Sequence, residues 1–145
     1  MGTRADFYID RGEDAEWIGS IAWDGYPDGI DDKVLRASNE KEFRTSVKEF
    51  LDDREDATYP ENGWPWPWDD SNTTDYAYAL DDDKVWAACF GHFWYVAIEK
   101  EPNEEDNPEL WRGKDCIFPN MKDVKNVTLG KRSGVFIISS YTPRA

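Results

Sequence analysis

Asp75-Tyr76-Ala77-Tyr78-Ala79-Leu80-Asp81-Asp82-Asp83-Lys84-Val85-Trp86-Ala87-Ala88-Cys89-Phe90 is the stretch on which the fold turns. Two short runs of aromatic, aliphatic and small residues flank three consecutive aspartates. In the first run Tyr76 and Tyr78 alternate with alanines, and a period of two sets both rings on one face of a strand. Short acidic side chains bond their own backbone and tolerate left-handed conformations, so Asp81-Asp82-Asp83 is turn chemistry. The spacing therefore predicts a hairpin, with Asp75–Leu80 leading out and Lys84–Phe90 leading back. The apolar run continues past Gly91-His92 through Phe93, Trp94, Tyr95, Val96 and Ile98, which predicts a bend and a further strand. An isolated hairpin is marginal in water, so these strands need neighbours and a cover.

The N-terminal third supplies both. Thr3 to Asp10 alternates around Ala5, Phe7 and Ile9, and Arg11-Gly12-Glu13-Asp14 is a turn. Ala15 to Trp23 returns, with Trp17, Gly19, Ile21 and Trp23 expected on one face and Ile18 and Ala22 on the other. Asp24-Gly25-Tyr26-Pro27-Asp28-Gly29 is dense turn punctuation. Its density of Gly, Pro and Asp marks it as structural, setting the exit from the second strand, with Gly25 costly to replace if its φ is positive. Ile30 to Ala37 has room for two helical turns. Asn39 then reads as an N-cap with Glu42 three residues on, the outline of a capping box. Phe43, Val47, Phe50 and Leu51 follow at helical spacing, while Glu40, Lys41, Arg44, Lys48 and Asp52 form the polar side. The helix is expected to end near Arg54. Val135 to Ile138 suggests a closing strand within 134–141. The expected architecture is α+β over a single domain, 1–145. It is an antiparallel sheet of about five or six strands, with one principal amphipathic helix packed on one face.

Between helix and hairpin lies Asn62-Gly63-Trp64-Pro65-Trp66-Pro67-Trp68-Asp69-Asp70. Proline fixes φ, lacks an N–H and pushes the residue before it toward extended geometry. The segment is thus a stiff strap carrying three indoles, unsuited to a regular sheet ladder. Either it lies across the core as a lid or it presents indoles to a partner, where tryptophan is enriched. Extended geometry alternates side chains, so at least one of Trp64, Trp66 and Trp68 is expected to face outward.

Composition bounds the function. The chain has 145 residues, 17 Lys+Arg against 31 Asp+Glu and a net charge of −14. Mean hydropathy is −0.82, but aromatics at 15% supply a core. Charge is divided unevenly: −8 over residues 1–60, −11 over 61–110 and +5 over 111–145. A strongly acidic body repels nucleic acid and anionic membrane and attracts basic protein surfaces. The basic segment is expected to fold back on that body. No apolar run is long enough to span a bilayer, and the N-terminus lacks the apolar core of a signal peptide. Cys89 and Cys116 form no close-spaced pair. The expected location is the cytoplasm, with Cys89 buried and not paired with Cys116.

The opening Gly2-Thr3-Arg4-Ala5, the Asp24-Gly25-Tyr26-Pro27 turn and the Asp75-Tyr76-Ala77-Tyr78 strand resemble a family of small phage and prophage proteins. That family opens with a similar Gly-Thr-Arg-Ala and carries a similar Asp-Gly-Tyr-Pro turn. The N-terminal match covers about a fifth of the chain. It implies a mobile genetic element as source and carries no activity with it.

Motifs of catalysis are scarce. Cys89 and His92 are three apart, which sets them on opposite faces of a strand unless Gly91 bends the chain. They read as a half-buried thiol and a turn histidine. Asp81-Asp82-Asp83 lacks the alternating ligands, central glycine and distant glutamate of a calcium loop. No phosphate-binding loop, nucleophile elbow or zinc spacing occurs. The expectation is a non-enzymatic module with no catalytic residue, no metal and no cofactor. Trp64, Trp66, Trp68, Asp69, Asp70, Glu101, Glu104, Glu105 and Asp106 are the expected partner-binding set. The expected partner is a basic, nucleic-acid-binding host protein of a defence system, inhibited in the anti-CRISPR or anti-restriction manner by mimicry of phosphate charge. No direct nucleic acid and no membrane partner is expected. The alternative is a small anionic ligand or nucleotide held in a pocket under the strap, with the basic segment meeting its charge.

Overall fold

The structure is a computed structural model that describes residues 2–98 and 116–121. Five strands form one mixed sheet: β1 (Ala5–Ile9), β2 (Glu16–Ile21), β3 (Tyr76–Asp81), β4 (Lys84–Cys89) and β5 (Tyr95–Val96). Their order is β2-β1-β3-β4-β5. Two helices, α1 (Asp32–Leu35) and α2 (Glu40–Asp52), lie between β2 and β3. The architecture is α+β with one principal helix, as the sequence predicts. The expected two turns over Ile30–Ala37 shrink to the single turn of α1. The expected strand within 134–141 lies outside the described residues.

One pairing departs from the antiparallel expectation. β1 and β3 run parallel, from Ala5↔Tyr76 to Ile9↔Leu80. The other three pairs are antiparallel. The reason is the long excursion after β2. Helices and strap carry the chain over the sheet, and it re-enters beside β1 in the same direction.

The first hairpin also differs in detail. Its register slips between Phe7 and Tyr8, where Phe7 faces Gly19 but Tyr8 faces Trp17. Ile18 is the extra residue of a β-bulge, and Gly19 takes φ +151°. A Cβ on Gly19 would sit 2.6 Å from Leu51 Cδ1, so this close approach requires glycine. The bulge resets the alternation. Trp17 joins the strap side while Ile18 and Ile21 face α2, so the single face expected for Trp17, Gly19 and Ile21 is split in two.

The sheet is covered on both faces. On one, Ala5, Phe7, Ile9, Ile21, Tyr78, Leu80 and Val85 pack with Phe43, Val47 and Leu51 of α2. Asn39 caps that helix by accepting from the Glu42 amide at 2.9 Å. The Glu42 carboxylate reaches back one residue further than a capping box requires, to the Ser38 amide and hydroxyl. On the other face, Tyr8, Trp17, Ala77, Ala79 and Ala88 lie under Phe118 and Met121, with Trp64 and Trp94 packed alongside. Two-sided cover explains why every residue of β1 is buried.

The β3–β4 hairpin turns at Asp82 (φ 55°) and Asp83 (φ 63°). Two successive left-handed residues make the turn whose twist matches the strands. After β4 the chain bends at Phe90 (φ 50°) and Gly91 (φ 68°), and the His92 amide closes the bend on the Cys89 carbonyl at 3.1 Å. Cys89 is half-buried rather than buried, because it stands at the strand end where that bend begins, while Cys116 is buried.

Candidate interaction surface

The strap folds inward. Trp64 Nε1 donates to the Trp68 carbonyl at 2.7 Å, and its ring meets Trp17 edge-on with centroids 5.1 Å apart. Trp66 Nε1 donates to Asp6 Oδ1 at 2.7 Å, and Trp68 Nε1 donates to Thr74 Oγ1 at 2.9 Å. Trp66 and Trp68 stack at 5.6 Å, with the Arg4 guanidinium 5.7 and 5.3 Å from their respective ring centres. Bends in the segment replace the expected in-out alternation. All three rings are half-buried, and all three N–H donors are satisfied within the chain.

Asp6 is the hub beneath this layer. It is fully buried. It accepts from Ser20 Oγ at 2.6 Å, from Ser71 Oγ at 2.6 Å and from Trp66 Nε1. Trp17 Nε1 donates to Ser20 Oγ at 2.9 Å, and Tyr8 Oη and Ser71 Oγ are 2.6 Å apart. Burial pushes the Asp6 carboxyl up from its ordinary value of 3.8, and the bonds from Ser20, Ser71, Trp66 and Thr74 only partly offset that. A buried carboxyl wrapped by three donors ties β1, β2, the strap and the 71–73 turn together. Surface cavities lined by described residues lie at the turn after β2, beside α1 and α2, and between α2 and Tyr59.

Of the other expected partner-binding residues, Asp69 and Asp70 follow the strap directly. Asp69 is exposed, and its carbonyl accepts from the Met121 amide at 2.7 Å. The Asp70 carboxylate caps the 71–73 turn through the Asn72 amide at 2.9 Å. Glu101, Glu104, Glu105 and Asp106 lie outside the described residues. Several other acids are likewise spent on structure. Asp56 receives the Ala22 and Trp23 amides, each at 2.9 Å, and pairs with Arg54 at 2.7 Å. Asp81 pairs with Arg11, Asp52 with Lys48, and Glu16 and Glu40 with Arg44.

Exposed aromatic surface lies on the turn after β2. Trp23 is 47% and Tyr26 42% exposed, and Ile98 is 50% exposed. Tyr26 and Ile98 line the same cavity of about 560 Å³. Ile30, Leu35 and Ala97 give it apolar walls, with Tyr76, Asp28, Asp32 and Arg36 also lining it. Asp24, Asp28, Asp31 and Asp32 are exposed along the same segment. Phe90 and Ile117 are also exposed.

This turn is rigidly held. The Gly25 amide donates to the Thr3 carbonyl at 2.8 Å, and Tyr78 Oη donates to the Gly25 carbonyl at 2.7 Å. Gly25 itself has no left-handed backbone; Asp24, at φ 61°, supplies that bend. Gly25 is required for space, since a Cβ would sit 2.8 Å from both Ala5 Cβ and Thr3 O. The sequence reading places Trp23 at the end of the second strand and Tyr26 in the turn after it. β2 instead ends at Ile21, which leaves Trp23 beyond the strand period that would have buried it.

Among the described residues no group of three or more His, Cys, Asp or Glu side chains is arranged to hold a metal. No helix there is long and apolar enough to cross a membrane. No protein-family model, curated protein or solved structure matches the chain.

Proposed function

We propose that this chain is an acidic protein-interaction module that docks a basic protein surface through the turn after β2. The observation that carries the reading is the pairing of exposed Trp23 and Tyr26 with Asp24, Asp28, Asp31 and Asp32 on a turn fixed to the sheet through Gly25. Aromatic anchors on a rigid support lose little conformational freedom on binding, and acids around them steer a basic partner. The strap takes the supporting role in this reading, since its N–H donors are committed inside the fold. The chain's resemblance to small phage and prophage proteins, together with the excess of acid, favours a nucleic-acid-handling host defence protein as the partner. The inhibition would then be of the anti-CRISPR or anti-restriction kind, exerted in the cytoplasm of the host.

The test begins with capture from bacterial lysate at low and high salt, followed by purification of the captured protein. Association rates are then measured with the full chain at two ionic strengths. A basic partner whose association slows as salt rises, and slows further with Asp24, Asp28, Asp31 and Asp32 changed to Asn, is the expected result. Association indifferent to both salt and those four carboxylates refutes the reading.

A further inference from the structure

Resting on that interaction reading, we infer that the cavity bounded by Tyr26, Asp28, Asp32, Tyr76 and Ile98 receives an arginine side chain projecting from the partner protein. Its volume of about 560 Å³ holds one long side chain with space for the backbone that carries it. The lining is mixed. Ile30, Leu35, Ala97 and Ile98 offer apolar wall to an aliphatic stem, and Asp28 and Asp32 offer carboxylates to a charged head. Long cationic side chains combine the same two parts, an apolar stem and a charge. Two tyrosine rings, Tyr26 and Tyr76, border the same space. A planar guanidinium stacks on such rings and forks onto carboxylates, which a compact ammonium does less well. Arg36 also lines the cavity and opposes a cationic guest, so its charge is a built-in brake on affinity.

The exposure of Tyr26 and Ile98 fits this use. Both are large and apolar-bodied, both stand at the cavity and both remain exposed among the described residues. The turn bearing Tyr26 and Asp28 is held by Tyr78 and Thr3, so that wall of the cavity is set before the guest arrives.

The probe is a capped Gly-Gly-Arg-Gly-Gly peptide, titrated into the full isotope-labelled chain and followed by amide chemical shifts. Matched peptides carry lysine or uncharged citrulline in place of arginine. Expected are saturable shifts clustered at Tyr26, Ile30, Leu35, Ala97 and Ile98, several-fold weaker with lysine and lost with citrulline. Asp28→Asn with Asp32→Asn weakens the arginine peptide about fivefold or more, and Arg36→Gln strengthens it. The opposite signs separate these effects from misfolding, since unfolding weakens binding in both variants. Shifts spread evenly over acidic segments, equal response to citrulline, or no response because the chain's own basic residues fill the cavity would each overturn the inference. A captured basic protein that binds the Asp28 and Asp32 variants undiminished sinks the cavity alone. A cavity that takes the peptide in a chain binding no basic protein sinks the broader module instead.

Discussion

Asp6 concentrates the energetic tension of the fold into one side chain. A carboxylate without solvent is costly unless every lone pair is met, and three donors converge on this one. Asparagine can keep the network. Its carbonyl oxygen would take Trp66 and Ser20, its amide would donate to Ser71, and Ser71 would turn its proton to Tyr8. Alanine would leave all three donors without an acceptor, so Asp6→Ala is expected to cost at least about 3 kcal/mol, against a much smaller loss for Asp6→Asn. The pH dependence has a definite sign. Because the folded carboxyl is raised above its ordinary 3.8, its favourable contribution is complete below that value. It is lost as pH rises through the raised one. The stability gap between the parent and Asp6→Asn should therefore narrow from about pH 4 toward neutrality, measured by urea unfolding at several pH values. A gap that widens means the ionised carboxylate stabilises the network. Asp56 works in the other direction. Burial raises it, but Arg54 and the Trp23 and Ala22 amides outweigh burial and leave it lowered. Its contribution is present above the ordinary value and lost as pH falls through the lowered one. Gly25 makes a simpler residue-scale case. Gly25→Ala would press a methyl onto Ala5 and the Thr3 carbonyl, an overpacking cost of about 1–3 kcal/mol. An unchanged melting temperature would show that the turn shifts freely.

Among the elements, the β3–β4 hairpin carries a correctable strain. Asp82 and Asp83 are both left-handed, where aspartate is tolerated but Asn-Gly is preferred. The double change Asp82→Asn, Asp83→Gly should therefore raise the melting temperature by a few degrees, roughly the effect of 1 kcal/mol in a domain of this size. A fall would mean that the two charges stabilise the hairpin in some other way. The same hairpin shows what local sequence can reveal. Alternation at Tyr76 and Tyr78, the Asp81–Asp83 turn and the Asn39 cap of α2 are each decided within a few residues, and each appears as read. The parallel β1–β3 pairing, the bulge at Ile18 and the inward strap are decided by partners tens of residues away. Nothing in Ala15–Trp23 announces that Leu51 will press on Gly19. Nothing in Trp64–Trp68 announces a buried acid at position 6. For the candidate surface the sequence points to acidity and aromatic anchors but directs attention to the strap, because three spaced tryptophans outweigh a Trp at a strand end and a Tyr in a turn.

At the scale of the whole molecule the two faces of the sheet divide the labour. One is closed by α2, the other by the strap and residues 116–121. In the proposed reading the strap therefore behaves as core, and the partner meets the acidic turn after β2 with its adjoining cavity. Mutations in the two places should separate. Trp66→Phe removes the indole donor from Asp6 and should lower stability while leaving the folded chain competent to bind. Tyr26→Ala removes an exposed ring and should leave the fold intact while weakening binding. The most direct measurement is the dissociation constant of the parent, Trp66→Phe and Tyr26→Ala chains for one purified basic partner, each taken well below its melting temperature. The expected result is a near-parental constant for Trp66→Phe, with a lower melting temperature, and a loss of about tenfold or more for Tyr26→Ala, as for an interface hot spot, with melting unchanged. The reverse result, tight binding by Tyr26→Ala and weak binding by a well-folded Trp66→Phe, would return the interface to the strap and contradict the assignment.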